Sequence, residues 1–339
     1  MKEILDRRRR LFAGARFSTA IFCNGDSTKG ESASFSYFSG SRVDGSYLVL
    51  KKNGGVLLTH SMNYAEAKES CCYPVRKFGK EPAKDLKKAC GRGKIGFSPC
   101  EMSAARYLAL RKMARLGLVN AGEKIAEVHG RKSEAEVQKL EAAAKIAKKI
   151  LDGLQPWKFA TEAELDAHLK IRALEEGCTL AFEPIVATGK NSSHPHHKTG
   201  SAKLGNFVLV DFGTKLDGYC SDFTRCYFRG KKAPQERAAY EKCRKIYAEM
   251  VRALPGCKTG KDVALLSDKL LKKYSMPALI HSVGHGIGME VHEYPHLGAK
   301  SDEKLEGAVL ALEPAAYFAR FGVRYEGMVV NIKGKWREI

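Results

Sequence analysis

Phe207-Val-Leu-Val-Asp-Phe-Gly-Thr-Lys-Leu-Asp-Gly-Tyr-Cys-Ser-Asp-Phe-Thr-Arg-Cys-Tyr-Phe228 is the stretch on which the reading of this chain turns. It predicts an antiparallel hairpin: an apolar run from Phe207 to Phe212, the turn dipeptide Asp217-Gly218, and a second arm ending at Phe228. Asp211 lies on the first arm and Asp222 on the second, eleven positions apart. In a hairpin whose loop has an even number of residues, odd separation puts two side chains on one face, and a full-pleat register shift keeps them there. Two carboxylates held side by side repel unless a proton or a cation lies between them. A pair of solvated aspartates flanking a turn is the alternative that the hairpin alone leaves open.

A second hairpin follows near the C-terminus, from VLALEPAAYF and VRYEGMVV. Glu313 and Glu326 are thirteen positions apart, so the same parity places them on one face. Between the hairpins lies His281-Ser-Val-Gly-His-Gly-Ile-Gly-Met-Glu-Val-His292, where Gly284, Gly286 and Gly288 let backbone approach His285. A phosphate-binding loop is strongly disfavoured there, because no Lys-Ser/Thr follows the glycines and no helix start is evident. Before the first hairpin runs a His-rich loop, Asn191-Ser-Ser-His-Pro-His-His197; eight of the ten histidines lie beyond residue 160. Four carboxylates and an imidazole form an oxygen-rich mixed set. It suits two divalent cations of the Mn, Co, Fe or Zn kind better than one structural zinc, which favours Cys and His. Such a pair, about 3.5–4 Å apart, needs bridging carboxylates and performs hydrolysis.

The rest of the chain frames this set. With 339 residues, 44% hydrophobic, it can build a large core and two domains. The net charge of +20 raises the prospect of nucleic acid. Lys139, Lys145, Lys148 and Lys149 fall at helical spacing instead and read as solvated helix face, as does the run Arg7 to Arg10, so a nucleic-acid partner is not expected. Ten scattered cysteines without CxxC spacing read as reduced thiols, the N-terminus lacks a secretory apolar region, and no run approaches a membrane span. A cytoplasmic enzyme is expected.

From Phe17 to about Glu127 the pattern alternates strands and helices: FSTAIFC as a strand, SYLVL and GVLLT as a hairpin turned at Asn53-Gly54, and helices over Ala65 to Ser70, Ala83 to Cys90 and Ser103 to Leu116. Asp26, Asp44 and His60 stand isolated there and read as structural. Ser133 and Glu136 open a long amphipathic helix to Leu154, with Val137, Leu140, Ala144, Ala147 and Leu151 on its apolar face. His129 to Lys132 reads as a linker, dividing the chain into 1–127 and 128–339. Thr161 with Glu164 caps another helix ending at Gly177, in which His168 reads as a structural histidine, and Gln235 to Leu254 is helical.

These motifs together resemble the pita-bread metallopeptidases, the family of aminopeptidase P, prolidase and methionine aminopeptidase. The matching stretches are FEPIVATGKNSSHPHH, LVDFG, GYCSDFTR, HSVGHGIGMEVHE, LEPAAY and GVRYEG, in the family's order, covering Arg131 to about Val330. YFSG followed by SYLVLKKNGGVLLT resembles the N-terminal domain of prolidases and aminopeptidases P, which methionine aminopeptidases lack. The resemblance implies an α+β protein: a smaller α/β creatinase-N-like domain followed by a catalytic pita-bread domain. It implies two divalent ions, Mn or Co foremost and Zn or Fe as alternatives. Asp211 would hold one, Asp222 and Glu326 would bridge both, and His285 and Glu313 would complete the second. Glu313 would also take the proton of the attacking water; His196 and His292 would steady substrate and tetrahedral intermediate; His281 would line the pocket after the cut. Arg324 would help hold the site and a substrate carboxylate, and His296 stands where dipeptide-cleaving relatives often carry Arg. Ala315, Gly327 and Asn206 also depart from the family pattern without removing a ligand.

The implied activity is hydrolysis of Xaa-Pro dipeptides by a homodimer. The alternative is an Xaa-Pro aminopeptidase acting on longer peptides. A pita-bread protein kept only for binding, or a creatinase-like hydrolase, is disfavoured because such relatives lack this ligand set.

Overall fold

The computed structural model describes residues 2–25 and 31–339 of the chain; the isolated Asp26 lies outside them. Two compact units divide the chain, Met1–Val128 and His129–Ile339. No helix among the described residues is long and apolar enough to cross a membrane.

The first unit contains α1 (Lys2–Phe12), β1 (Thr19–Asn24), α2 (Ala33–Ser39), β2 (Ser46–Lys51), β3 (Gly54–Thr59), α3 (Tyr64–Ser70), β4 (Val75–Lys77), α4 (Pro82–Cys90), β5 (Lys94–Phe97), α5 (Ala104–Lys112), β6 (Gly117–Asn120) and α6 (Gly122–Gly130). Its strands form one mixed sheet in the order β4-β3-β2-β1-β5-β6. The β2–β3 register pairs Lys51 with Gly54, so the turn residues are Lys52 and Asn53. Neither has positive φ. Gly54 therefore opens the strand instead of completing an Asn-Gly turn.

Two sequence expectations are revised here. His129 and Gly130 continue α6 instead of starting a linker. The basic run of α1 is not simply solvated: Arg7 is buried, donates to the Tyr37 carbonyl at 2.8 Å and stacks 3.9 Å from the Tyr37 ring. Arg10 donates to the Val128 carbonyl at 3.2 Å. Guanidinium groups tolerate this because they present several donors and a flat face for an aromatic ring. Asp44 and His60 serve structure, as Asn63 donates to the Asp44 carbonyl and the His60 ring lies against Phe78.

The second unit begins with α7 (Glu134–Asp152), α8 (Glu162–Glu175), β7 (Thr179–Leu180) and β8 (Ile185–Thr188). It continues through β9 (Phe207–Phe212), β10 (Thr214–Leu216), β11 (Tyr219–Cys220), β12 (Phe223–Phe228), α9 (Pro234–Ala253) and α10 (Gly260–Lys273). The last strands are β13 (Gly284–Gly286), β14 (Glu293–His296), β15 (Val309–Leu312), β16 (Ala315–Tyr317), β17 (Gly322–Arg324), β18 (Gly327–Ile332) and β19 (Lys335–Glu338). Its sheets include β12-β9-β8 and β14-β13-β15-β18-β19.

Helices cover these strands through the faces that the periodicity predicts. Ser133 and Glu136 form a full capping box on α7. Val137, Leu140, Ala144, Ala147 and Leu151 pack in one cluster with α8 residues and with Val208, Val210, Val309 and Val330. Truncating a side chain as enclosed as Leu140 to Ala costs about 2–5 kcal/mol. Lys139, Lys145 and Lys149 stay exposed on the opposite face. On the other side of the core, Tyr240, Ile246 and Met250 of α9 meet Val263 and Leu270 of α10 and Leu310 and Val329 of the sheet. His168 stacks on Phe159.

One register runs through the whole first hairpin: Phe212 opposes Phe223 and Leu216 opposes Tyr219. Asp217 and Gly218 have φ of 50° and 87°, the double left-handed turn that matches strand twist. Thr224 lies opposite Asp211, so Asp222, two positions away, shares the face of Asp211. In the second hairpin Leu312 opposes Gly327 and Ala315 opposes Arg324. Both pairs count to Glu313 opposite Glu326.

Candidate active site

The two hairpins and β13 bring their polar side chains into one buried cluster. Asp222, His285 and Glu326 each offer an atom within 4.8 Å of the other two, and all three are buried. His285 Nε2 lies 3.6 Å from an Asp222 oxygen, while its Nδ1–H donates to the Gly286 carbonyl at 3.1 Å. That bond leaves Nε2 as the nitrogen that could ligate a metal ion.

Burial, the Glu326 charge, and then the charges of Asp211 and Glu313 hold Asp222 well above the usual carboxylate range, against an opposing Arg324. Burial followed by Glu326 raises Glu313 in the same way. Glu326 is pushed up to about 7 by burial and by Asp211. Burial and the neighbouring His292 lower His285 to about 4. Anionic carboxylates and a neutral imidazole are the forms that bind a cation, and without one the carboxylates are driven toward protonation.

Asp211 Oδ1 and Asp222 Oδ1 are buried without a hydrogen-bond partner among the described residues. An unpartnered buried charge is costly unless a cation meets it. The residues present thus fit the divalent ions that the sequence implies.

Beneath the cluster lies a network that spacing did not reveal. Arg324, almost fully buried, donates through Nη2 to Asp211 at 2.6 Å, through Nε to Thr224 Oγ1 at 2.8 Å and through Nη1 to the Tyr317 hydroxyl at 3.0 Å. Thr224 passes its own proton to Glu326 at 2.7 Å. Tyr317 in turn lies 3.0 Å from His281 Nε2, and His281 Nδ1 is 2.7 Å from the Ser282 carbonyl. A carbonyl only accepts, so His281 carries its proton on Nδ1 and accepts a hydrogen bond from the Tyr317 hydroxyl on Nε2. Glu313 lies 3.7 Å from His281 Nδ1.

His196 and His292 are exposed at the rim of the cluster. The His292 ring lies 4.2 Å from the His285 ring. Although His292 is exposed overall, its proton affinity is lowered by the partial desolvation of its ring and then by the His196 charge, which places the two histidines within electrostatic reach of each other. The residue after His292 anchors it: Glu293 forms a buried ion pair with Lys132, whose Nζ also donates to the His129 carbonyl at 2.8 Å.

Two residues expected to contact substrate have protein partners. The Arg324 guanidinium donates to three protein acceptors, which fits its expected part in holding the site. His296, across the strand pair from His285, has a side chain 74% exposed and lies 3.1 Å from Glu303. The residues that sequence reasoning missed are Thr224, Tyr317 and the Lys132–Glu293 pair. Thr224 had a signal, since it sits on the face of Asp222 two positions on; Lys132, 161 positions from Glu293, had none.

Comparison with known proteins agrees with this arrangement. Residues 138–331 match metallopeptidase family M24, and residues 5–128 match the Creatinase/Prolidase N-terminal domain. An Xaa-Pro dipeptidase of Pyrococcus furiosus is 28% identical over 313 residues, 87% of each chain. A Mycoplasma genitalium relative is 32% identical over 219 residues, 62% of this chain; the chain thus spans 62% of that relative's length. The solved structure of a dipeptidase from Pyrococcus horikoshii superposes with a TM-score of 0.87 at 26% identity, covering 99% of this chain and 97% of the other. The fold is that of the pita-bread proteins, preceded by a creatinase-type N-terminal domain. With the family's match spanning both hairpins and the cluster between them, the chain belongs to metallopeptidase family M24.

Proposed function

We propose that this chain hydrolyses the peptide bond before proline, with Xaa-Pro dipeptides as its principal substrates. The observation that carries the reading is the buried cluster of Asp222, His285 and Glu326, with oxygens on Asp211 and Asp222 that have no hydrogen-bond partner among the described residues. The preference for proline rests on the likeness to the Pyrococcus furiosus Xaa-Pro dipeptidase.

In this reading Asp211, Asp222, His285, Glu313 and Glu326 would hold two divalent ions, with Mn or Co the preferred metals. When bound, such ions lower the pKa of water and polarise a carbonyl. Glu313 accepts the proton of the attacking water and returns it to the leaving nitrogen. Its place opposite Glu326 supports that role. His196 and His292 donate hydrogen bonds to the oxygen that gains charge, a role their exposure at the rim supports. His281, fixed by Tyr317 and Ser282, lines the pocket for the residue after the cut. Arg324 serves through Asp211 and Thr224, holding their carboxylate and hydroxyl in place.

The second reading is an Xaa-Pro aminopeptidase acting on longer peptides. The enclosure of Arg324 and the pairing of His296 with Glu303 favour it, since both weaken a grip on a leaving carboxylate. The catalytic part comprises 128–339 and the N-terminal domain 1–127, and the working form is a cytoplasmic homodimer without a nucleic-acid partner. Hydrolysis of Xaa-Pro dipeptides beside Xaa-Pro-Xaa tripeptides by the metal-supplemented protein decides between the readings: faster turnover of dipeptides supports the first, preference for tripeptides the second.

A further inference from the structure

The loop that carries His196 is held by a single buried carboxylate. Glu162, in the first turn of α8, has a fully buried side chain. Its Oε1 accepts from the Thr188 backbone N–H at 2.8 Å and from Asn191 Nδ2 at 3.0 Å. Its Oε2 accepts from His197 Nε2 at 2.9 Å and from the Gly200 N–H at 3.3 Å. All four donors come from the segment 188–200, two groups on each side of His196.

The backbone between these anchors is a tight turn. The His197 N–H donates to the His194 carbonyl at 3.1 Å, with Pro195 in the second position and His196 in the third. Proline presets φ for that second position, so the turn has little freedom of its own. Upstream, the His194 N–H donates to the Asn191 carbonyl at 3.1 Å, and downstream the Glu162 N–H donates to Ala202 at 2.9 Å. Of the two side chains gripped by Glu162, His197 closes the turn itself and Asn191 is one hydrogen bond upstream of it. Glu162 itself does not reach the cluster; its influence there passes through the loop.

We propose that Glu162, with His197 as its clamp, is the positioning residue that holds His196 against the substrate. The inference rests on the reading of His196 as a group that touches substrate. A loop-borne donor is effective only if its backbone is locked, and a misplacement of about 1 Å can cost about 10²-fold in rate. Gln at position 162 keeps the size but turns an N–H₂ toward two donors. Gln at position 197 offers an amide donor in place of Nε2–H.

The test is steady-state kinetics of the full chain, metal-supplemented, on an Xaa-Pro dipeptide, with bound metal measured for each variant. Glu162→Gln should lower kcat by about 10–10²-fold while KM moves by less than about threefold and bound metal stays at the wild-type level. Added to His196→Ala, it should lower kcat no further, because the two act on one interaction. His197→Ala should behave as Glu162→Gln, and His197→Gln should recover most of the loss. If Glu162→Gln does not fold, the His197 pair carries the same test in both backgrounds. Losses that multiply with that of His196→Ala, or wild-type kcat in both Glu162→Gln and His197→Ala, overturn this inference alone. Wild-type turnover in His196→Ala overturns the role of His196 and this inference with it.

Discussion

Arg324 Nη2 donates to Asp211 Oδ2 at 2.6 Å, and both side chains are buried beneath the carboxylate cluster. The bond links the second hairpin to the first, since Arg324 ends β17 and Asp211 lies on β9. It also supplies a positive charge among four carboxylates. Replacing Arg324 by Ala leaves Asp211 charged and uncompensated, a loss of about 3–5 kcal/mol in the metal-free protein. Arg324→Lys keeps the charge but cannot serve Asp211, Thr224 and Tyr317 at once, so it should recover only part. Urea unfolding of the chelator-treated proteins measures both; an Arg324→Ala variant as stable as wild type would show that the charge is not needed there.

Asp222 has one oxygen near His285 and another without a hydrogen-bond partner among the described residues. Protein stripped by chelator should be inactive and regain activity with Mn or Co. Asp222→Asn should lose tight binding of at least one ion, read by metal analysis after dialysis. Two ions retained with full activity in that variant would falsify the bridging role.

Proton affinity gives a second handle on the same cluster. Glu326 sits near 7 in the folded chain against an ordinary 4.5, from burial and Asp211. A carboxylate with a raised folded pKa binds its proton more tightly when folded. The metal-free protein therefore loses stability as pH rises from about 4.5 to about 7, and the cost is complete above that. A metal must displace the proton to bind. The rise in Tm on adding Mn should accordingly be larger at about pH 8 than at about pH 6; equal rises would mean that Glu326 binds no cation.

His196→Ala and His292→Ala should each lower turnover by about 10²-fold, the scale of a lost transition-state donor, with bound metal near normal. His194→Ala should matter less, since His194 serves the turn through its backbone groups. Equal losses in His194→Ala and His196→Ala would shift the reading of the loop by two positions.

His296 is exposed and tied to Glu303. An imidazole offers a carboxylate one donor at a time, whereas Arg is always charged and binds carboxylates through two bonds. His296→Arg should lower KM for Xaa-Pro dipeptides. An unchanged KM, with tripeptides preferred by the wild type, would assign the protein to aminopeptidase chemistry and leave His296 a bystander.

Much of this fold was legible because its signals are local. The Asp217-Gly218 turn and the alternation of the flanking strands set the register that puts Asp211 and Asp222 on one face. The Ser133 capping box and the apolar face of α7 read equally well. What was not legible depends on contacts made far along the chain. Arg7 resembles its solvated neighbours in sequence and is buried only because Tyr37 offers a ring and a carbonyl. Glu162 is eclipsed by the better-known capping pair Thr161 and Glu164, and its partners lie 26 to 38 positions away. Arg324 stands close to Glu326 in sequence, which suggested the site but not that its guanidinium faces inward.

The central claim is metal-dependent cleavage before proline, and one titration tests it most directly. Chelator-treated wild type and Asp222→Asn are titrated with Mn while hydrolysis of an Xaa-Pro dipeptide and of its Xaa-Ala counterpart is followed. The account predicts that only wild type gains activity, that the gain saturates with metal, and that the proline peptide is cleaved faster. Equal cleavage of the two peptides, or activity in the stripped enzyme unchanged by Mn, would contradict it.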